Sequence, residues 1–234
     1  MRVLLSLLDA NLALHQHAAS ALDKALERHQ LLPGQQTPIN EQAFFNAYNA
    51  LRDVETEELR LLHETALLAQ LLRREESARQ TEHELDQTFR AQEVGNGKKA
   101  VIVSKDALIK QEKTVAKDHR QVYQHAEQMV DIFLAQYEAL VRADRLFRAL
   151  DPRLVLLQSH AEAAILKIFV LAEDSPQKLR DLVKTEVERN QPRDLAAGLA
   201  AHRSKMRQHL TKLSEARRHF AAFIQQRLPM IGTL

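Results

Sequence analysis

The chain predicts an all-α fold, an elongated helical bundle built around a long antiparallel coiled-coil hairpin. Three observations predict it. Only 5 Gly and 6 Pro occur in 234 residues, while Leu, Ala, Gln, Glu, Arg and Lys, which lose little side-chain freedom on entering a helix, dominate. No proline stands between Asn40 and Leu150, and the only glycines there are Gly95 and Gly97, so a helical pattern runs on both sides of one break. Beyond that break Leu108, Val115, Val122 and Met129 recur every seven residues, with Ala126, Phe133, Leu140 and Phe147 in the adjacent row. At about 1.5 Å per residue, each arm of the hairpin would be roughly 70 to 80 Å long, against about a dozen residues for a common globular helix.

The first helix is expected from about Val3 to Leu31, carrying Leu4, Leu5, Leu8, Leu12, Leu22 and Leu26, and it stops at the turn signal Pro33-Gly34. Asn40 is placed to cap the second helix, with Glu41 beside the positive end of its dipole. That helix is rich in apolar residues as far as Leu72, with Phe44, Phe45 and Tyr48 expected to staple its base. From Arg73 to Gln92 it offers little besides Ala78, Leu85 and Phe89. A thinly packed, solvated arm follows, because a narrow seam suffices to pair two helices.

Val94-Gly95-Asn96-Gly97 breaks the arm. A plain interhelical loop is the first reading there, and a small β-hairpin over residues 94–103, closed by Asn-Gly and Ala100 to Val103, is the alternative. Ser104 is the expected cap of the third helix. Asp151-Pro152 and Ser175-Pro176 each set a capping residue before a proline at the first helical position, opening helices at about 152–173 and 176–190. Gln191-Pro192 opens the sixth, where Leu199, Met206, Leu213 and Phe220 repeat at seven and Phe223 joins the core. Residues 1–234 are read as one elongated domain, with an arm at roughly 73–120 projecting from a bundle formed by 1–72 and 121–234. Leu154 to Leu157 and Ile165 to Leu171 are expected to supply its thickest packing.

Composition narrows the classes of function. The chain has no Cys, which removes disulfides, thiolate catalysis and Cys-based zinc sites. The N-terminal apolar run Val3 to Leu8 is interrupted at Asp9 and Asn11, too early for a signal-peptide core. Leu154 to Ala172, the most apolar stretch, contains Gln158, Ser159, His160, Glu162 and Lys167, so it reads as a buried core helix rather than a membrane span. Net charge is +2 and aromatic content 5%, without the basic surface and stacking platforms of a nucleic-acid binder. A cytoplasmic location is the default expectation.

Charge is unevenly placed. Glu41 to Glu93 holds twelve acids and six bases, Lys98 to Arg120 seven bases and three acids, and the chain from Pro192 onward eight bases and two acids. The plain reading is intramolecular: the acidic arm lies against a basic one and the charges set register. The sharper reading turns the basic tip around Lys98-Lys99, and the basic sixth helix, toward anionic lipid or an acidic partner.

The search for chemistry yields nothing of comparable weight. Two fragments begin H-E-x-x-H, but Leu67 follows His63-Glu64 and Gln87 follows His83-Glu84 where the second imidazole is needed. Neither the Glu-x-x-His pairs of di-iron bundles nor a G-x-S-x-G, P-loop or G-x-G-x-x-G is present. His119, His125, His202 and His209 read as half-exposed, hydrogen-bonded side chains at helix borders, and Glu215 and His219 as a surface pair one turn apart. No catalytic residue, cofactor or metal site is assigned.

The expected function is therefore that of a non-enzymatic scaffold or adaptor, acting through helix pairing with a protein partner or with another copy of itself. No nucleic acid or small-molecule substrate is expected. The candidate partner-binding residues lie on the arm: Arg79, Glu82, Leu85, Phe89, Lys98, Lys99, Lys105, Lys110 and Lys113. The alternative is a membrane-surface or membrane-remodelling protein, or a helical toxin component, using the basic tip on anionic headgroups, although Val101 to Val103 is far too short to span a bilayer.

Overall fold

Six helices succeed one another in the computed structural model: α1 (Val3–Gln30), α2 (Glu41–Gly95), α3 (Lys98–Leu150), α4 (Ser159–Leu171), α5 (Pro176–Arg189) and α6 (Pro192–Arg227). The structure describes the backbone of residues 3–30, 41–95, 98–150, 152, 154–157 and 159–227. Side chains are described for these except 25–30, 41, 92–95, 98–104, 160–161, 224 and 226–227. The all-α class is as the sequence predicts, and the two long helices pack along each other. With 55 and 53 residues, α2 and α3 each extend roughly 80 Å.

Cross-helix contacts fix the directions. Asp53 meets Arg142, Arg74 meets Asp118, and Gln111 donates to the carbonyl of Ala78, so α2 and α3 are antiparallel. Arg217 bonds Glu55 and Thr65 meets Met206, which sets α6 antiparallel to α2. His202 pairs with Asp9 and His219 with Asp23, so α1 runs parallel to α6. His219 thus reaches across to α1, and Glu215 is not its partner. Arg180 with Asp131 and Lys184 with Glu127 bring α5 back down α3, while α4 packs on α1. The first turn of α1 is held from α5: Leu4 N donates to Glu186 Oε2 at 2.6 Å, satisfying a free amide with a carboxylate at the positive end of the helix.

The core follows the sevenfold rows. Val122, Met129, Ala126, Phe133, Leu140 and Phe147 of α3 are buried, as are Leu199, Met206, Leu213 and Phe220 of α6. At the base of the hairpin Phe44 stacks on Phe220 with ring centroids 5.8 Å apart, and Phe147 lies 5.0 Å from the same ring. Tyr48 accepts from Arg217 Nη1 at 2.5 Å. Phe45, expected beside them, faces solvent because the core stripe of α2 passes through Phe44, Ala47, Tyr48 and Leu51. Gly198 lets α1 approach α6: a Cβ there would stand 2.9 Å from Leu5 Cδ1.

Three local expectations are corrected. Helix α3 starts at Lys98, not at Ser104, so residues 98–103 are helical and the β-hairpin alternative does not form; Asn96-Gly97 lies outside the described residues. Nor does α4 begin at Pro152. Residues 154–157 are non-helical because the buried Asp144 offers them another partner: its Oδ1 accepts from the amides of Leu156 and Leu157 at 2.7 and 2.8 Å. Arg148 closes this knot from Asp144 Oδ2 and to the Leu157 carbonyl, burying Leu154, Leu156 and Leu157. Finally, α4 is not enclosed: Ile165 and Ile168 are buried, but Leu166, Val170 and Leu171 are exposed. At α5 the reading holds, since Ser175 Oγ accepts from Lys178 N and Pro176 takes the first helical position. The caps at Asn40 and Asp151 lie outside the described residues.

Candidate functional site

Packing thins abruptly along the hairpin. Ala78 is buried on α2 and Asp118 on α3, and no described side chain between Arg79 and Lys117 is buried. The body ends at the same level, where Arg193 and Ala196 of α6 face Arg73 and Glu76. Beyond it Leu85 and Phe89 of α2, with Ala107, Leu108 and Val115 of α3, form a half-buried seam, and Ile109 is exposed. An amphipathic pair needs only such a seam to stay together, and part of each apolar side chain remains accessible.

The candidate residues separate into two groups. Leu85 and Phe89 lie one turn apart on the seam, with Glu82 half-buried beside them. Lys105, Lys110 and Lys113 are exposed on α3. Arg79 is committed within the hairpin instead: its Nη2 donates to Glu75 Oε1 at 2.5 Å and lies 3.5 Å from His119 Nδ1. Lys98 and Lys99 begin α3, and their side chains lie outside the described residues.

The base of the arm is locked by charge. Glu75, buried, also meets His119 Nδ1 at 2.6 Å, and Glu64 pairs with His125. Arg74 bonds Asp118 at 2.5 Å and Gln121. Burial, and then the hydrogen bond to the carboxylate of Glu188, push the Tyr123 phenol up to about 12. Among the described residues the base of the arm is thus cross-linked by histidines and by a base on the acidic helix, and no ion pair there uses Lys105, Lys110, Lys113 or Lys117. A groove of about 460 Å³ opens at this level, lined by Arg74, Ser77, Thr81, Gln111, Thr114 and Lys117, where the seam residues are small.

Sequence reading missed a second polar feature, inside the bundle. Asn11 and His15 of α1, Glu58 of α2 and Gln136 of α3 are buried together. Glu58 Oε2 accepts from Asn11 Nδ2 at 3.2 Å and from Gln136 Nε2. His15 Nε2 lies 2.8 Å from Gln136 Nε2 and 3.7 Å from Glu58 Oε2. With the amide donating toward it, His15 Nε2 acts as acceptor and the ring proton belongs on Nδ1. His209 of α6 stands near this group; burial, then Lys212 and His15, hold its imidazole below the usual value of 6.5. The signal was present: Leu51, Val54, Leu61, Leu68 and Leu72 form a stripe at threes and fours whose intervening seam positions are Glu58, Thr65 and Glu75.

Such polar positions in an apolar seam fix which residues face each other, because any other register would bury them unpaired. Among the described residues no group of three or more His, Cys, Asp or Glu side chains is placed to hold a metal ion. No helix among them is long and apolar enough to cross a membrane. The chain matches no protein-family model, no curated protein and no solved structure with which it was compared.

Proposed function

We propose that the protein is a non-enzymatic, cytoplasmic helical scaffold or adaptor whose arm, Arg79 to Lys117, engages a helix of a protein partner. The supporting observation is the mismatch between helix length and packing. Past the last buried side chains among the described residues, Ala78 and Asp118, α2 extends for 17 residues and α3 for 20, with Leu85, Phe89, Leu108 and Val115 only partly covered. Ordering that much chain costs about 1 to 2 kcal/mol per residue in backbone entropy, which two-helix contact alone offsets poorly. A third helix laid along the seam covers what is left open.

Residues 82–113 are the segment to remove, with Thr81 joined to Thr114 by a short glycine-containing turn, since both line the same groove. Affinity purification from the native host, with intact and arm-deleted chains as bait, is expected to lose its specific partner on deletion. Leu85→Glu with Phe89→Glu should do the same without shortening the chain. An unchanged partner list for both variants would sink the assignment.

The exposed lysines support a second reading, in which Lys105, Lys110, Lys113 and Lys117 face an anionic membrane surface. Each such lysine contributes about 1 kcal/mol near an anionic leaflet, so binding to anionic vesicles should vanish as salt is raised. Salt-sensitive co-sedimentation lost on replacing these lysines would favour that reading over the adaptor.

A further inference from the structure

The groove at the root of the arm is open because Ser77, Ala78, Thr81 and Thr114, which line it, are small. It encloses about 460 Å³ and runs for about two helical turns, from Arg74 to Thr81 on α2 and from Gln111 to Asp118 on α3. Its depth offers little to a free anion. Thr81 and Thr114 give their hydroxyl protons to the carbonyls of Ser77 and Lys110, and Gln111 donates to the carbonyl of Ala78. Arg74 is committed to Asp118 and Gln121, and the buried Asp118 carboxylate would repel a second negative charge placed beside it.

The rim on α3 is different. Lys117 lines the groove there and Lys110 follows seven residues along the same row; both are exposed, and neither has an ion pair among the described residues. Glu112, between them in the chain, falls on another flank of α3 by helical period, and Glu84 and Asp106 lie about one turn further out. Two lysines seven apart on a helix stand about 10.5 Å from each other, the spacing of two carboxylates seven apart on a second helix laid alongside. Charges that flank an apolar seam in this way choose its partner. An anionic membrane, being flat, would reach the same lysines but leave the groove unfilled.

We propose that the helix engaged by the arm is an acidic one. Its apolar side enters the groove and continues along Leu85 and Phe89, while Asp or Glu residues on its flank meet Lys110 and Lys117. This rests on the adaptor reading and adds to it the chemistry of the partner.

Two synthetic peptides of about three heptads test it, sharing one apolar seam and carrying either Glu or Lys at the flanking positions. Each is labelled with a dye and titrated with the full chain, and fluorescence anisotropy reports binding. The Glu peptide is expected to bind in the micromolar range, the Lys peptide at least about tenfold more weakly, and the difference should shrink as salt is raised. Lys110→Glu with Lys117→Glu should reverse the preference, whereas Lys24→Glu, at an exposed lysine of α1, should leave it unchanged. Thr81→Trp, which fills the groove from an exposed position, should weaken the Glu peptide at least about tenfold with helicity retained.

Equal affinity for the two peptides, or binding of neither, overturns the proposal. So does a preference for the Glu peptide that survives Thr81→Trp, which would place it outside the groove. Phosphatidylserine vesicles that bind through Lys110 and Lys117 while the Glu peptide does not would overturn it in favour of a membrane. The adaptor reading fails by a separate result, a partner list unchanged by deletion of residues 82–113. If that deletion removes the partner while the peptides fail, the adaptor stands and its acidic helix falls.

Discussion

Glu58 is the residue on which the bundle's interior turns, because one carboxylate oxygen serves donors from two other helices. Glu58→Ala leaves the amides of Asn11 and Gln136 buried without an acceptor, which should cost about 3 kcal/mol, and Glu58→Gln, keeping an acceptor, about 1 kcal/mol. Urea unfolding measures both; an alanine variant within 0.5 kcal/mol of the parent, roughly the error of such work, would show the pocket hydrated rather than dry. His209 gives a pH dependence. Its folded state prefers the neutral ring, so the unfolded chain takes up the proton first, and stability falls as pH drops below the usual 6.5. Lys212, Lys205 and His15 oppose the charged ring and Glu58 favours it. Melting temperature should therefore fall between about pH 7.5 and about pH 5.5, and His209→Gln should lessen the fall. The rest of the chain is the same in both proteins, so the difference isolates His209. An equal fall in both would refute this account.

At the scale of the element, the corner between α4 and α5 is built from two non-glycine residues with positive φ, Glu173 at 51° and Asp174 at 54°. Their amides close the end of α4, donating to the carbonyls of Val170 and Phe169 at 3.0 and 2.9 Å, before Ser175 caps α5. An L residue in that conformation is strained, so Asp174→Gly should stabilise the protein by about 0.5 to 1 kcal/mol, read as a higher melting temperature. A loss of stability would mean that the Asp174 side chain contributes more than its backbone costs. Ser175-Pro176 announced α5 because its cap is local, made within four residues. Asp151-Pro152 announced a helix that begins only at Ser159, because the deciding acceptor, Asp144, arrives from the preceding helix. A start signal is reliable only where no outside group competes for the same amides.

On the scale of the whole molecule the body and the arm are energetically unequal. Deleting residues 82–113, none of whose described side chains is buried, should remove helix signal yet leave the melting temperature within about 3 °C of the parent. A drop of about 10 °C or more would mean that the arm holds the body together. The sequence alone determined the six helices, the reversal near Gly95 and the core rows of α3 and α6, since these depend on backbone propensity and on spacing within one segment. It also marked the thin seam of the arm, for the same reason. Only the tertiary structure decided that Glu58, Gln136 and His15 meet, that Arg79 serves Glu75, and that the most apolar helix turns Val170 to solvent. Those outcomes depend on how far apart in space residues distant along the chain come to lie, and helical periodicity carries the face a side chain occupies but not what stands opposite it.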